Sequence, residues 1–181
     1  MTTVYPLFHT LQLVTERVLI APLQDSDLAA VYEMHCTNEV NKYIPYSTWH
    51  GWQDAEQWLD MMHQRRVEEE AQIFSLKRKI DDAFIGTSLV FNANKSAKDL
   101  NIGYVLKAQY WGQGYASEAI HALTDGLLSM NGIPQLKATV QEGNAASVSV
   151  LLKLGFNEVA IDVDDRGLPI RRYEKHAGIP L

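Results

Sequence analysis

The chain has 181 residues, of which 46% are hydrophobic and 21% charged, with a formal net charge of −6 at pH 7. This is the size and make-up of one soluble globular domain over residues 1–181; the acidic balance argues against non-specific nucleic-acid binding. No apolar run approaches the ~20 residues of a membrane span, no secretory signal opens the chain, and a single cysteine, Cys36, excludes an intrachain disulfide, so no membrane and a cytoplasmic location are expected.

In chain order, residues 13–23 read as a strand centred on Val18-Leu19-Ile20 and closed by Pro22. Asp25-Ser26-Asp27 offers caps for a helix whose apolar stripe is Leu28, Val31, Tyr32 and His35. Cys36, near the end of that helix, is expected to be buried. A loop, Tyr43-Ile44-Pro45-Tyr46, leads to a second helix over 54–70, which carries Trp58, Met61, Met62 and Arg65. Tyr46, Trp49, His50 and Trp58 are expected to pack as core or lid, and Glu68-Glu69-Glu70 as a solvated face. Residues 71–80 alternate as a strand, Asp81-Asp82-Ala83 turns the chain, and 84–91 returns as an antiparallel partner. A polar loop over 92–99 follows.

Leu100, Ile102, Tyr104 and Leu106 then recur at strand period. Beyond Gly114 the apolar positions become Ala116, Ala119, Ile120, Leu123, Leu127 and Met130, which is helix period, and Asn131-Gly132 with Pro134 stops that helix. A strand over 136–141, a helix over 144–154 ended by Gly155, and strands over 156–163 and 170–175 complete the chain. This order predicts an α/β fold: a mixed, mostly antiparallel central sheet flanked by helices, with a parallel pair joined through the 115–130 helix.

Gly112-Gln113-Gly114 opens directly into a helix, whose unpaired N–H groups and dipole make an anion site. A P-loop needs Lys-Ser/Thr where Tyr115-Ala116 stands. A dinucleotide fingerprint needs a third glycine where Ser117 stands, and a strand running straight into the glycines. Glycines that only turn the chain remain an alternative on this pattern alone. The six histidines show no metal spacing, one cysteine cannot make a multi-thiolate zinc site, and no Gly-x-Ser-x-Gly elbow is present.

Two clusters together resemble the GNAT superfamily of N-acetyltransferases. Gln109-Tyr110-Trp111-Gly112-Gln113-Gly114 matches that family's pyrophosphate motif, Gln/Arg-x-x-Gly-x-Gly/Ala. The stretch Tyr110-Trp111-Gly112-Gln113-Gly114-Tyr115-Ala116 looks like the branch that acetylates ribosomal-protein N-termini (RimJ/RimL-like). So do Asn144-x-x-Ser147 with Lys153-Leu154-Gly155-Phe156, and Leu13-x-Thr15-Glu16-Arg17-Val18-x-Ile20-x-Pro22-Leu23-x-x-x-Asp27. The matches keep family order from residue 13 to residue 156.

The resemblance implies a GNAT fold with a splayed parallel pair, acetyl-CoA as cosubstrate, no metal, and a primary amine as acceptor. The acceptor is expected to be a peptide N-terminal α-amine. A polyamine, aminoglycoside or amino acid is the small-molecule alternative, and an acyl-CoA-binding sensor without turnover the non-catalytic one. A homodimer is compatible with either. Gln109, Trp111, Gly112, Gln113, Gly114, Tyr115, Ala116 and Ser117 would hold the pyrophosphate. Tyr104, Val105 and Leu106 would pair with the pantetheine amides in the manner of strand addition. Asn144 would bond the same arm, and Lys153 would meet a phosphate or stay solvated. The Leu106 N–H would donate to the thioester carbonyl, and Ser147 to the departing sulfur, since a thiol of pKa about 8.5 leaves only partly as thiolate near neutral pH. The family's more usual tyrosine falls at Leu151, which cannot donate. A family glutamate falls at Thr139, which cannot act as base, leaving Glu142 or Asp164 acting through water. A missing strong base favours an α-amine, of pKa about 7.7–8.0, over a lysine at about 10.4.

Overall fold

The computed structural model describes residues 8–45, 47–92, 100–130 and 132–178. Most of the expected polar loop, together with Tyr46 and Asn131, lies outside the described residues. The strands are β1 (Leu13–Val14), β2 (Val18–Pro22), β3 (Ala71–Arg78), β4 (Ala83–Asn92), β5 (Leu100–Leu106), β6 (Gln135–Gln141), β7 (Asn157–Val163) and β8 (Pro169–His176). Among the described residues they form one eight-stranded sheet, ordered β1-β2-β3-β4-β5-β6-β8-β7. Every neighbouring pair is antiparallel except β5–β6. Among the described residues, α1 (Leu28–His35), α2 (Asn38–Asn41), α3 (Trp52–Val67), α4 (Tyr115–Leu128) and α5 (Ala145–Lys153) flank it. This is the mixed, mostly antiparallel α/β architecture that the element order predicts. No described helix is long and apolar enough to cross a membrane.

Two cores form. In the first, Ile20, Phe74 and Leu76 of the sheet meet Ile120, Leu123 and Leu127 of α4. In the second, Ile73, Phe84 and Leu89 meet Leu28 and Val31 of α1 and Trp58 and Met62 of α3. Each such burial stabilises by roughly 1.5–3 kcal/mol. Leu76 pairs with Gly86 and Lys77 with Phe84, so Ile85 is an extra residue on β4. This bulge flips the side-chain parity: Phe84 and Leu89 serve the second core, Ile85 and Val90 the first.

Trp49 and Trp58 are core residues, as expected. Their rings lie 5.7 Å apart, and the His35 ring lies 4.6 Å from Trp49. Cys36 corrects an expectation: it is exposed, because it caps α1 one residue beyond buried His35. Helix α2 has no counterpart in the sequence reading, since one turn is too short to show a period. It is held by Asn41, whose Oδ1 lies 2.8 Å from Nδ1 of His35.

The feature that positions the site is the β5–β6 pair. Among the described residues its ladder holds only at Leu100–Leu136 and Asn101–Lys137. Beyond these the strands part, while β5 stays paired with β4 as far as Leu106.

Candidate active site

The glycine turn follows β5 through a 3-10 turn at Ala108–Tyr110. Gly112 has φ of 71° and Gly114 of 84°, the left-handed region that glycine reaches without strain. Gly114 is the N-cap of α4 and offers no side-chain cap. Trp111 to Gly114 are exposed. Among the described residues, the N–H groups of Gly112, Gln113, Gly114, Tyr115, Ala116 and Ser117 meet no backbone acceptor, and the first bonded one is Glu118 N–H, to Gly114 O at 3.0 Å. A run of outward N–H groups at a helix N-terminus suits a pyrophosphate. The remaining motif side chains brace the turn. Trp111 Nε1 donates to Leu106 O at 2.8 Å, and Gln113 Nε2 to Gln109 O at 2.7 Å. Tyr115 is buried edge-on to Tyr110, ring centres 6.0 Å apart.

Pairing parity determines which backbone groups β5 offers to the cleft. Lys107 N–H donates to Ile85 O at 2.9 Å, in register with Gly86–Leu106. Hydrogen-bonded pairs alternate along an antiparallel ladder, so Val105 exchanges both bonds with Thr87 of β4. The N–H and C=O of Tyr104 and Leu106 point the other way, toward the parted β6. The Leu106 C=O is taken by Trp111, which leaves its N–H as a donor at the mouth of the cleft. Of the three strand residues expected to pair with pantetheine, Tyr104 and Leu106 present the open edge and Val105 does not.

Ser147 faces this strand. It shares a face of α5 with buried Leu151 and Leu154, at helical spacing. Its Oγ lies 3.0 Å from the hydroxyl of Tyr104. Burial pushes the Tyr104 phenol up to about 12, against an opposing contribution from the Ser147 bond, so Tyr104 keeps its proton near neutral pH. Among the described residues, Tyr104 is the only side chain hydrogen-bonded to the Ser147 hydroxyl. Asn144 caps α5: its Oδ1 accepts from Ser147 N–H at 3.2 Å. That leaves its Nδ2 as the group able to reach an arm in the cleft.

Glu142 and Lys153 sit elsewhere. They line a cavity of about 550 Å³ with Ala145, Ser149 and Leu152, on the face of α5 opposite Ser147. Glu142 receives Arg171 Nη2 at 3.2 Å. Asp164 is committed to a turn. The N–H of Leu168, then the Arg166 side chain and N–H, hold its carboxyl below the usual carboxylate range, although burial opposes this. Neither carboxylate touches the Ser147–Tyr104 pair among the described residues.

Three features escaped the sequence reading. The Tyr104 side chain joins Ser147, although only its backbone was expected to matter. Gly86 pairs with Leu106 so closely that an added Cβ would lie 2.2 Å from Val105 O; a glycine inside a strand signals such an approach. Thr15 and Arg17 reach the turn from β1–β2 through Glu118. The motif containing them was visible, but its spatial partner was not.

A model of the acetyltransferase (GNAT) domain matches residues 17–157. The uncharacterized N-acetyltransferase p20 of Bacillus licheniformis is 29% identical over 167 residues, which is 92% of this chain and 89% of that one. Among solved structures, the RimL ribosomal L7/L12 alpha-N-protein acetyltransferase in complex with coenzyme A aligns with a TM-score of 0.81 at 14% identity, covering 91% of this chain and 96% of that one. The spermidine N-acetyltransferase from Vibrio cholerae, in complex with CoA and spermine, aligns with a TM-score of 0.77 at 13% identity, covering 90% and 97%. At those identities the two structures establish a shared fold.

Proposed function

The chain belongs to the GNAT family of acetyltransferases and is an acetyl-CoA-dependent N-acetyltransferase, and from that premise we propose that its acceptor is the α-amine of a peptide N-terminus. The observation that carries this reading is the absence of a carboxylate at Ser147 and Tyr104 among the described residues, with Glu142 and Asp164 both held by arginines. An α-amine of pKa about 7.7–8.0 is roughly a tenth neutral near pH 7 and needs little help, whereas a lysine at about 10.4 must first lose its proton to a strong base. One structural neighbour is named for a ribosomal-protein α-amine and another for spermidine, so the fold does not choose between them. The cavity does not favour a polyamine either, because its Glu142 and Glu158 are both paired with Arg171.

Bound acetyl-CoA supplies a thioester whose C–S bond breaks as the amine nitrogen bonds to the carbonyl carbon. The turn from Gly112 to Ser117 holds the pyrophosphate, and Tyr104, Leu106 and Asn144 orient the arm. The Leu106 N–H donates to the carbonyl oxygen as it gains charge, a kind of interaction worth about 2.7–4 kcal/mol when removed. The Ser147 hydroxyl donates to the leaving sulfur and Tyr104 O–H donates to Ser147 Oγ, which makes Ser147 the better donor. The amine proton leaves to solvent, since Glu142 lies on the far face of α5 and is paired with Arg171.

Paired peptides test the acceptor, one with a free N-terminus and blocked lysines and the other the reverse. The α-amine peptide is expected to turn over at least tenfold faster at pH 7, and its rate to rise with pH up to about 8. Faster turnover at the lysine removes this reading.

A further inference from the structure

We infer that Arg17, clamped to Glu118, is a positioning residue that sets both the charge and the shape of the pyrophosphate turn. The inference rests on reading that turn as the site for the pyrophosphate of acetyl-CoA. Glu118 stands in the first turn of α4, beside the N–H groups that would meet the anion. A bare carboxylate there would repel a pyrophosphate and compete with it for the same donors.

It is not bare. Its Oε1 accepts Thr15 Oγ1–H at 2.6 Å and Arg17 N–H at 2.7 Å, and its Oε2 accepts Arg17 Nε–H at 2.6 Å. Thr15 is itself held, since its Oγ1 accepts the N–H of Val18 at 2.8 Å. The rest of the guanidinium is also employed. Nη1 donates to Gln113 O at 3.1 Å, and the group lies 4.6 Å from the centre of the Tyr115 ring. Nη2 sits so near Gly114 that an added Cβ would be 3.3 Å from it.

Two consequences follow from this geometry. Arg17 neutralises the one acidic residue in the first turn of α4, with Arg17 42% and Glu118 19% exposed, so solvent screens the pair only in part. Arg17 also draws the Gln113 carbonyl toward itself. In a trans peptide the C=O and the following N–H point to opposite sides, so the Gly114 N–H is aimed away from Arg17 and toward the open face of the turn. Burial would raise the Glu118 carboxyl, but Thr15 and the Arg17 N–H and guanidinium together hold it below the usual range, so it is charged at neutral pH and needs its partner. The Thr15-Glu16-Arg17 motif therefore acts on a turn about a hundred residues away.

The test compares CoA binding by calorimetry in the wild type, Arg17→Ala, Glu118→Gln and the double variant. Arg17→Ala is expected to raise the Kd for CoA about 30-fold, because it strands the carboxylate and frees the Gln113 carbonyl. Glu118→Gln is expected to cost about threefold. The double variant should bind about fivefold more tightly than Arg17→Ala alone, because the stranded charge is gone; a purely structural role would make it bind no better. In turnover, the loss in kcat/KM for Arg17→Ala should be at least tenfold larger with acetyl-CoA than with S-acetylpantetheine, which lacks the pyrophosphate. Unchanged CoA affinity in Arg17→Ala, no recovery in the double variant, or equal losses with both donors overturns the inference while leaving the reading of the turn intact. A wild type that does not bind CoA overturns both.

Discussion

The middle of the sheet and its β7 edge are built to different standards. Along β3 and β4 almost every position is buried or half-buried between two cores, whereas all seven residues of β7 are exposed, Val159, Ile161 and Val163 among them. The donor elements hang on the middle strands. Gly86 packs against the backbone of Val105 and Leu106, Trp111 ties the turn to Leu106, and Arg17 ties it to β2. The β7 edge carries the open cavity with Glu142, Glu158 and Arg171, held by ion pairs that solvent reaches. The lesson is about tolerance. The backbone donors that must meet a fixed cosubstrate are anchored to the packed strands, while the β7 edge has little core to lose.

The sharpest way to break this contrast is Gly86→Ala. Its Cβ cannot coexist with Val105 O, so the end of β5 must shift and carry the Leu106 N–H with it. The expected loss is about 100-fold in kcat/KM, the scale of a displacement near 1 Å, together with a lower melting midpoint. An Ala variant with wild-type kinetics would show that β5 is not held by that contact. A smaller effect sits in the second core. Burial lowers the pKa of His35, and its bond with Asn41 only partly offsets this. With a depressed folded pKa, His35 contributes stability above its ordinary value of about 6.5 that is lost as pH falls through its folded pKa. The urea midpoint should therefore drop below pH 6.5, and drop less steeply in His35→Leu; equal slopes would move the cause elsewhere. The smallest effect belongs to the open β7 edge. Ile161→Lys on β7 should move stability by less than about 0.5 kcal/mol, as for surface changes generally. A large loss in a thermal melt would mean that β7 is covered in solution.

Much of this could be read along the chain. The order of elements was visible because period two and period three-point-six leave marks within a few residues, and the bounds of β5 and β6 fell within a residue of expectation. Gly112, Gly114 and Asn144 were legible because turn and cap chemistry is local: positive φ in two, a side-chain oxygen on Ser147 N–H in the third. What was misjudged was non-local. Cys36, expected inside from its place near a helix end, lies one residue too far along and is exposed. Val105 was grouped with its neighbours, but strand parity turned its backbone away from the cleft.

By itself, then, the sequence determined a mixed α/β fold, a glycine turn at a helix N-terminus and the residues able to serve it. Only the tertiary structure decided that β5 and β6 part after two pairs, that Tyr104 meets Ser147, that Glu142 falls on the far face of α5, and that Arg17 closes on Glu118. Periodicity and turn chemistry depend on covalent neighbours. Register, parity and ion pairing across 101 residues depend on how the strands are laid side by side, which no local stretch of chain encodes.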